Sequence, residues 1–370
     1  MFPGSPLPER HDDARRVVDA RRPGPRPGVG ARGRPLVLAS GGIVALVVAL
    51  VLGVGFGSVT IDPADTVAIL AHRTIGLDLG REWAPAAETI VMDLRLPRVL
   101  TAMLVGLALA VAGVTFQGLL RNPLADPYVL GTASGAALGA AIAVLIPVRF
   151  VILEFGLLHG LAFLGALLSV FVVYRLSRMT GLAPLTSLLL TGYAVGSLLA
   201  AGLTMAMYLS GTAIRQIFMY LLGSFDSASW VRLAGALPII AVCTVAILLR
   251  ARSLNGLLLG EETAANLGVN VRRERGILLG LASLATAAAV AISGLIGFVG
   301  LVVPHVVRMV VGPSARLVLP LSAIVGAALL AYADLVSRLL GEIPVGVVTA
   351  VIGAPFFLLI LRRARAGYEL

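Results

Sequence analysis

The chain contains no lysine and a single cysteine, Cys243. Without lysine there is no P-loop lysine, no Schiff-base lysine and no lysine general base. One cysteine excludes an intrachain disulfide, a cysteine-ligated zinc site and an iron–sulfur cluster. In mid-span, Cys243 reads as a small apolar residue. The four histidines form no i,i+4 pair, so a metal or haem ligand set is not expected. Charge is also scarce: 13% of the 370 residues are charged, against about a quarter in a soluble domain.

Apolar residues fill the space, at 58% of the chain with a mean hydropathy of +0.98. That excess is too large for one buried core, so the expected solvent is lipid. Nine windows carry no Asp, Glu or Arg: Leu36–Ile61, Val99–Leu120, Pro127–Val148, Phe155–Tyr174, Met179–Ile214, Leu233–Leu249, Gly276–Val307, Leu317–Ala333 and Ile343–Leu361. A spanning helix needs about 20 apolar residues. Gly276–Val307 is too long for one, and it breaks at Ser293-Gly294 and Gly297 into a span and a shorter span. The expected fold class is all-α, a polytopic membrane protein of about ten transmembrane helices over residues 36–363.

All 29 basic residues are arginine, and the net charge is +10. A strongly basic chain raises the question of nucleic acid, and the placement of the arginines answers it. Ten spans put both termini on one side. That side collects eight arginines before residue 36 and Arg362, Arg363 and Arg365 at the other end. Its loops add Arg121, Arg175, Arg178, Arg250, Arg252, Arg272, Arg273, Arg275, Arg308 and Arg316, for 21 of the 29. The positive-inside rule makes this side cytoplasmic. Nucleic acid is not among the expected partners. Residues 1–35 lack apolar period and are expected to be a disordered basic cytoplasmic tail, read as solvated rather than as a partner-binding arm. Residues 364–370 form a second cytoplasmic tail. A signal peptide is not expected.

The outer segment Ser58–Asp93, with Asp62-Pro63, Trp83 and Pro85, predicts a short surface helix. Arg95 and Arg98 follow at a helix start, where the dipole disfavours cations. They read either as interfacial snorkelling or as a cationic dock for an acidic partner. Inside, Asn122-Pro123 and Asp126-Pro127 stop one helix and start a turn. Gly131, Gly135 and Gly139 form a small-residue face for close helix packing. Gln117 and Asn122 either line a path or cap backbone. The inner loop 250–275 holds LLLGEETAANLGVNV (Leu257–Val271), expected to contain a short helix. Gly260 would bound it, Glu261 and Glu262 would sit at its favourable N-terminus, and Gly268 would cap its C-terminus. So short a helix needs a surface to lie on, and its acidic start favours a cytoplasmic protein over lipid. The C-terminal third is dense in helix breakers, as expected where helices line a cavity or move. Asp334 and Arg338 read as an i,i+4 ion pair, with the role of Arg338 open.

RLPR, RNPLADPYVLGTASGA, LLLGEETAANLGVNV, GFVGLVVPHVVR and EIPVGVVTAVIGAPFF occur in this order. Over about residues 60 to 362 the chain resembles the FecCD family of ABC-transporter permeases, importers of ferric siderophores, haem and cobalamin. The resemblance implies the type II importer permease fold, a second permease copy or sister permease, and a path along their interface. It implies separate ABC ATPase subunits carrying ATP and Mg, with no cofactor or metal on this chain. It also implies an extracytoplasmic substrate-binding lipoprotein, in a bacterial inner membrane. Ferric siderophore is the cargo expected from the breadth of the family, with haem or cobalamin as alternatives. By the same resemblance, Gly260, Glu261, Glu262, Ala264, Ala265, Leu267, Gly268 and Val269 couple to the ATPase, and Arg95, Arg98 and Arg338 dock the binding protein. Thr186 and Ser187 form the cytoplasmic gate, while Gln117, Asn122, Tyr193, Met205 and Tyr208 line the path. One departure is the inner turn Gly312-Pro313-Ser314-Ala315-Arg316, which lacks the family's usual acidic or His-containing form. An ion-coupled secondary transporter would want mid-span carboxylates, and a membrane enzyme would want a nucleophile–base pair or a metal cluster. The windows offer neither. The helix breaks disfavour a static scaffold.

Overall fold

A computed structural model describes residues 34–57, 59–146, 151–152, 155–179 and 184–366. The basic tail before residue 34 and the last four residues lie outside them. All ten expected spans hold a helix: α1 (Arg34–Gly55), α4 (Leu96–Leu119), α5 (Thr132–Leu145), α6 (Leu157–Ser177), α7 (Pro184–Leu209), α9 (Trp230–Leu249), α12 (Val271–Ser293), α13 (Val299–Val311), α14 (Ala315–Leu339) and α15 (Val345–Ala366). Seven are long and apolar enough to cross a membrane, and α5, α13 and α15 offer shorter apolar stretches. Shorter helices join them: α2 (Pro63–Ile75), α3 (Pro85–Thr89), α8 (Ile214–Leu222), α10 (Ala251–Leu258) and α11 (Glu261–Asn266). A π-helical turn, Ile90–Arg95, feeds directly into α4. The only extended pairing among the described residues is a two-residue antiparallel contact of Val151–Ile152 with Phe155–Gly156.

The core is organised around α4. Its sequence is apolar on every side, which in a large assembly means burial on every side, and nearly all of its residues are buried. Glycines let neighbours approach to backbone contact. A Cβ on Gly106 would stand 2.2 Å from the Gly326 carbonyl oxygen of α14, and one on Gly113 only 1.9 Å from the Gly300 carbonyl oxygen of α13. Such approaches maximise dispersion contacts where lipid offers no hydrophobic driving force between helices. The glycine face after Asp126 works the same way: Gly135 and Gly139 meet the backbone carbonyls of Gly165 and Leu161 on α6.

The break expected near Ser293-Gly294 falls between α12 and α13. Irregular backbone within a membrane protein must find hydrogen bonds inside the protein, and this one does. Ser224 N–H donates to Ser293 O at 2.9 Å, Leu295 N–H to Tyr220 O at 3.3 Å, and Gly346 N–H to Gly223 O at 3.3 Å. Tyr128 donates its hydroxyl to Ile296 O at 2.9 Å, and Tyr220 donates to Val290 O at 3.0 Å. Three chain segments therefore meet backbone to backbone, at Gly223, Gly294 and Gly346. A side chain on any of them would collide with a neighbouring carbonyl.

In the outer segment, α2 begins where the Asp62 carboxylate accepts from Ala64 N–H, followed by Pro63 at the first helical position. The indole of Trp83 and then the guanidinium of Arg73 hydrogen-bond the Glu88 carboxylate and hold its pKa below the ordinary value.

Candidate functional site

Three regions carry functional candidates: an inner protrusion, an outer arginine cluster and an exposed helix face.

The inner protrusion is α10–α11. Helix α10, whose amphipathic ARSLNGLL pattern is too short to stand out in sequence, buries Leu254 and Leu257. Leu254 packs against Gly118 at the end of α4. Gly260 then turns the chain at φ 114°, in the left-handed region that glycine tolerates. Helix α11 starts on Glu261, buries Ala264 toward Gly256, and stops at Gly268, φ 81°. Gly268 N–H donates to Ala265 O at 2.9 Å and Val269 N–H to Ala264 O at 3.0 Å. The expected glycine bounds and acidic N-terminus are thus in place. Glu261 is ion-paired to Arg275 of α12 and lies 3.7 Å from Arg121, just past α4. Glu262, Ala265 and Leu267 face outward, Leu267 with 65% of its surface exposed. An exposed leucine on a short helix braced by ion pairs can dock a protein, but it offers no chemistry for a reaction.

A contact that sequence reasoning missed ties this protrusion to the core. Asn255 of α10 accepts from Ala315 N–H at 2.7 Å, and so caps α14 from another helix; its amide lies 3.5 Å from the Ser314 hydroxyl. The departing turn at 312–316 thus has a polar partner. Nothing in the sequence signals it, since Ser314, a favoured N-cap residue, stands at the helix start but makes no cap bond itself.

The outer arginines, expected to dock a binding protein, all have partners within the chain. Arg95 is 6% exposed and donates to the carbonyls of Val54 (3.0 Å), Gly55 (2.7 Å) and Val59, closing the C-terminus of α1. Cations belong at that end of a helix dipole. Arg338 donates to Phe56 O at 2.9 Å and pairs with Asp334 at 3.1 Å, an ion contact rather than an aligned hydrogen bond. Arg98 lies 2.9 Å from Asp334 on one side and 2.9 Å from Asp226 on the other. Asp334 is fully buried, whereas the Asp226 side chain is 56% exposed. The i,i+4 pair of Asp334 with Arg338 is present, as the centre of a larger network.

Two residues expected to line a path make backbone hydrogen bonds. Gln117 is buried and donates to the carbonyls of Gly300 (3.1 Å) and Leu301 (3.4 Å). Pro304 lies inside α13 and has no N–H, so the Gly300 carbonyl four residues back loses its helical donor. Gln117 supplies it. Asn122 accepts from Leu124 N–H at 2.9 Å and shapes the turn after α4. The other candidates lie on α7. Tyr193, Met205 and Tyr208 are exposed, with Tyr193 at 77% and Tyr208 at 83%. Thr186, Tyr193, Ser197, Thr204 and Tyr208 fall on a single exposed polar stripe. Ser187, beside Thr186, is buried and donates its hydroxyl to Ser177 O. A polar stripe along a long apolar helix is costly against lipid and suits a wetted surface.

A cavity of ≈ 760 Å³ lies at the outer side between α5, α6, α8, α9 and the end of α12, lined by His159, Gln216, Asp226 and Arg232 among others. Among the described residues, no group of three or more His, Cys, Asp or Glu is placed to hold a metal ion.

Comparison with known proteins matches this arrangement to a family. Residues 45–363 fit the model of the FecCD transport family. The chain is 45% identical over 301 residues to the cobalamin import system permease protein BtuC of Halobacterium salinarum, covering 81% of this chain and 79% of the relative. It is 44% identical over 281 residues to the hemin transport system permease protein HmuU of Yersinia pestis, covering 75% and 84%. Its fold matches that of a metal-chelate type ABC transporter solved in an inward-facing conformation, with a TM-score of 0.77 and 32% identity, covering 89% of this chain and 99% of that one. The chain belongs to the FecCD transport family.

Proposed function

We propose that this chain, an ABC importer permease, carries cobalamin across the cytoplasmic membrane of its cell, driven by a separate ATPase. The observation that carries the energy coupling is the protrusion of Glu261–Asn266, braced by Glu261 between Arg275 and Arg121 with Leu267 left exposed. A second permease copy or sister permease, facing the polar stripe of α7, would complete a path lined by Tyr193, Met205 and Tyr208, with Thr186 and Ser187 at its inner end. A path whose walls are threonine, serine and tyrosine side chains holds a large cargo weakly, as release requires.

In this mechanism the ATPase closes on ATP and Mg in its own sites, and the motion enters through Leu267 and Glu262. Glu261 and Asn255 pass it to α12, α4 and α14. The positive-inside distribution supports a cytoplasmic position for both termini. Of the expected docking arginines, Arg98 is the one we assign to the extracytoplasmic binding protein, because its outer partner Asp226 is exposed. The names of the relatives favour cobalamin first and haem second over the ferric siderophore expected from the sequence. A secondary transporter finds no support, since buried Asp334 is neutralised by two arginines.

Uptake of labelled cobalamin, haemin and a ferric siderophore panel in a strain lacking this chain tests the reading. Cobalamin uptake is expected to vanish and to return with the gene. Unchanged cobalamin uptake beside a loss of haemin or siderophore uptake would overturn the cargo.

A further inference from the structure

The seam between the inner ends of α6 and α12 joins two stripes that change character at the same depth. On α6, Leu164, Leu168 and Phe171 are exposed at helical spacing, and Arg175 continues the same face, exposed in turn. Arg178 follows just past the helix, its guanidinium 5.8 Å from the centre of the Tyr174 ring. The Tyr174 hydroxyl lies against Gly276 of α12, 3.6 Å from where a Cβ would be. One turn earlier on α12, exposed Arg272 and Arg273 open the helix. One turn later, Gly280 is exposed with open space around it. Residues 272, 276 and 280 share one helix face.

These four arginines are unbalanced. Glu274 lies 3.7 Å from Arg250, and Glu261 is held by Arg275 and Arg121. None of Arg175, Arg178, Arg272 and Arg273 has a carboxylate partner among the described residues. Arg272 and Arg273 also stand at the positive end of the α12 dipole, which favours an anion. Below the cations, each stripe turns apolar and open: leucines and a phenylalanine on α6, a side-chain-free notch at Gly280 on α12. We propose that this seam binds an anionic phospholipid of the inner leaflet. Its phosphate lies among Arg175, Arg178, Arg272 and Arg273, and its acyl chains run along Leu164, Leu168 and Phe171 and over the glycine notch. The apolar continuation selects a lipid over an acidic protein surface, which would need the cations but not the open stripe beneath them. The inference is independent of the cargo.

The probe is phosphatidylglycerol against phosphatidylcholine, offered to the purified full chain and read by native mass spectrometry as retained lipid. Preference for phosphatidylglycerol is expected to be about tenfold or more, since each basic residue near an anionic surface contributes at the level of several-fold. The variant R175Q/R178Q/R272Q/R273Q is expected to lose that preference, and the corresponding four-lysine variant to keep it. All four positions are exposed, and an unchanged melting temperature in detergent checks that the fold survives. Undiminished preference in the glutamine variant overturns the proposal. So does intact lipid retention beside lost binding of the ATPase, which would assign the patch to that protein.

Discussion

Arg98 Nε lies 2.9 Å from Oδ1 of Asp334, joining α4 to α14 across 236 positions of sequence. Arg338 approaches the other oxygen of the same carboxylate at 3.1 Å. A fully buried carboxylate is tolerable only with such partners, and removing it leaves Arg338 without a carboxylate and Arg98 with Asp226 alone. Asp334→Asn is expected to destabilise the purified permease by about 3–5 kcal/mol. The double variant Arg98→Gln/Asp334→Asn should cost less than the sum of the two single changes. Thermal unfolding in detergent measures both, and strict additivity would show that the network is not coupled.

Gln117 repairs what Pro304 removes. Gln117→Leu leaves the Gly300 carbonyl without a donor and is expected to cost about 1–3 kcal/mol. Pro304→Ala restores the helical N–H, so the pair Gln117→Leu/Pro304→Ala should be more stable than Gln117→Leu alone. If the second change brings no rescue, the repair role is wrong.

Glycines in this fold divide sharply by environment. Gly113→Val would drive a side chain into the Gly300 backbone and is expected to prevent accumulation of folded protein. Gly41, exposed in α1 with nothing within 4 Å of a Cβ, should accept alanine with a gain of up to about 1 kcal/mol. Expression level and melting temperature distinguish the two positions.

Leu267→Asp is expected to leave the permease folded, because Leu267 touches little of its own chain, while abolishing stimulated ATP hydrolysis in the reconstituted complex. Normal stimulation with this variant would remove the protrusion from the coupling role.

Cys243 is buried and is the sole cysteine, so the native chain is a quiet background for labelling. Cysteines placed at Tyr193 and Tyr208 are expected to react with a water-soluble maleimide in intact membranes, and one placed at Leu168 to react far more slowly. Equal protection at all three would deny that the α7 stripe is wetted.

The spans were legible because apolar runs and their Gly and Pro breaks are set by the solvent and the backbone, both local properties. The breaks at Ser293-Gly294 and Gly268 fall where glycine is required. Side-chain partners were not legible. Arg95 meets carbonyls about 40 positions away, and Gln117 meets Gly300 from 183 positions away. A polar side chain in a span reads equally as a path lining or as a repair, until the proline it serves is placed beside it. The pairing of Arg98 with Asp334 was not legible either, because in sequence Asp334 could be matched only to its i,i+4 neighbour Arg338. Helices α8 and α10 were missed because each is too short to impose a period.

Helix α4 is enclosed largely by helices that follow it in the chain, so it is made before α13 and α14, on which its glycines pack. The carbonyl that Gln117 will bind is made 183 residues later, about 10–40 s at ordinary rates of synthesis. Through that interval Gly106 and Gly113 lack the α14 and α13 backbones on which they finally pack. The order of biogenesis therefore makes the last third of the chain the step that closes the molecule.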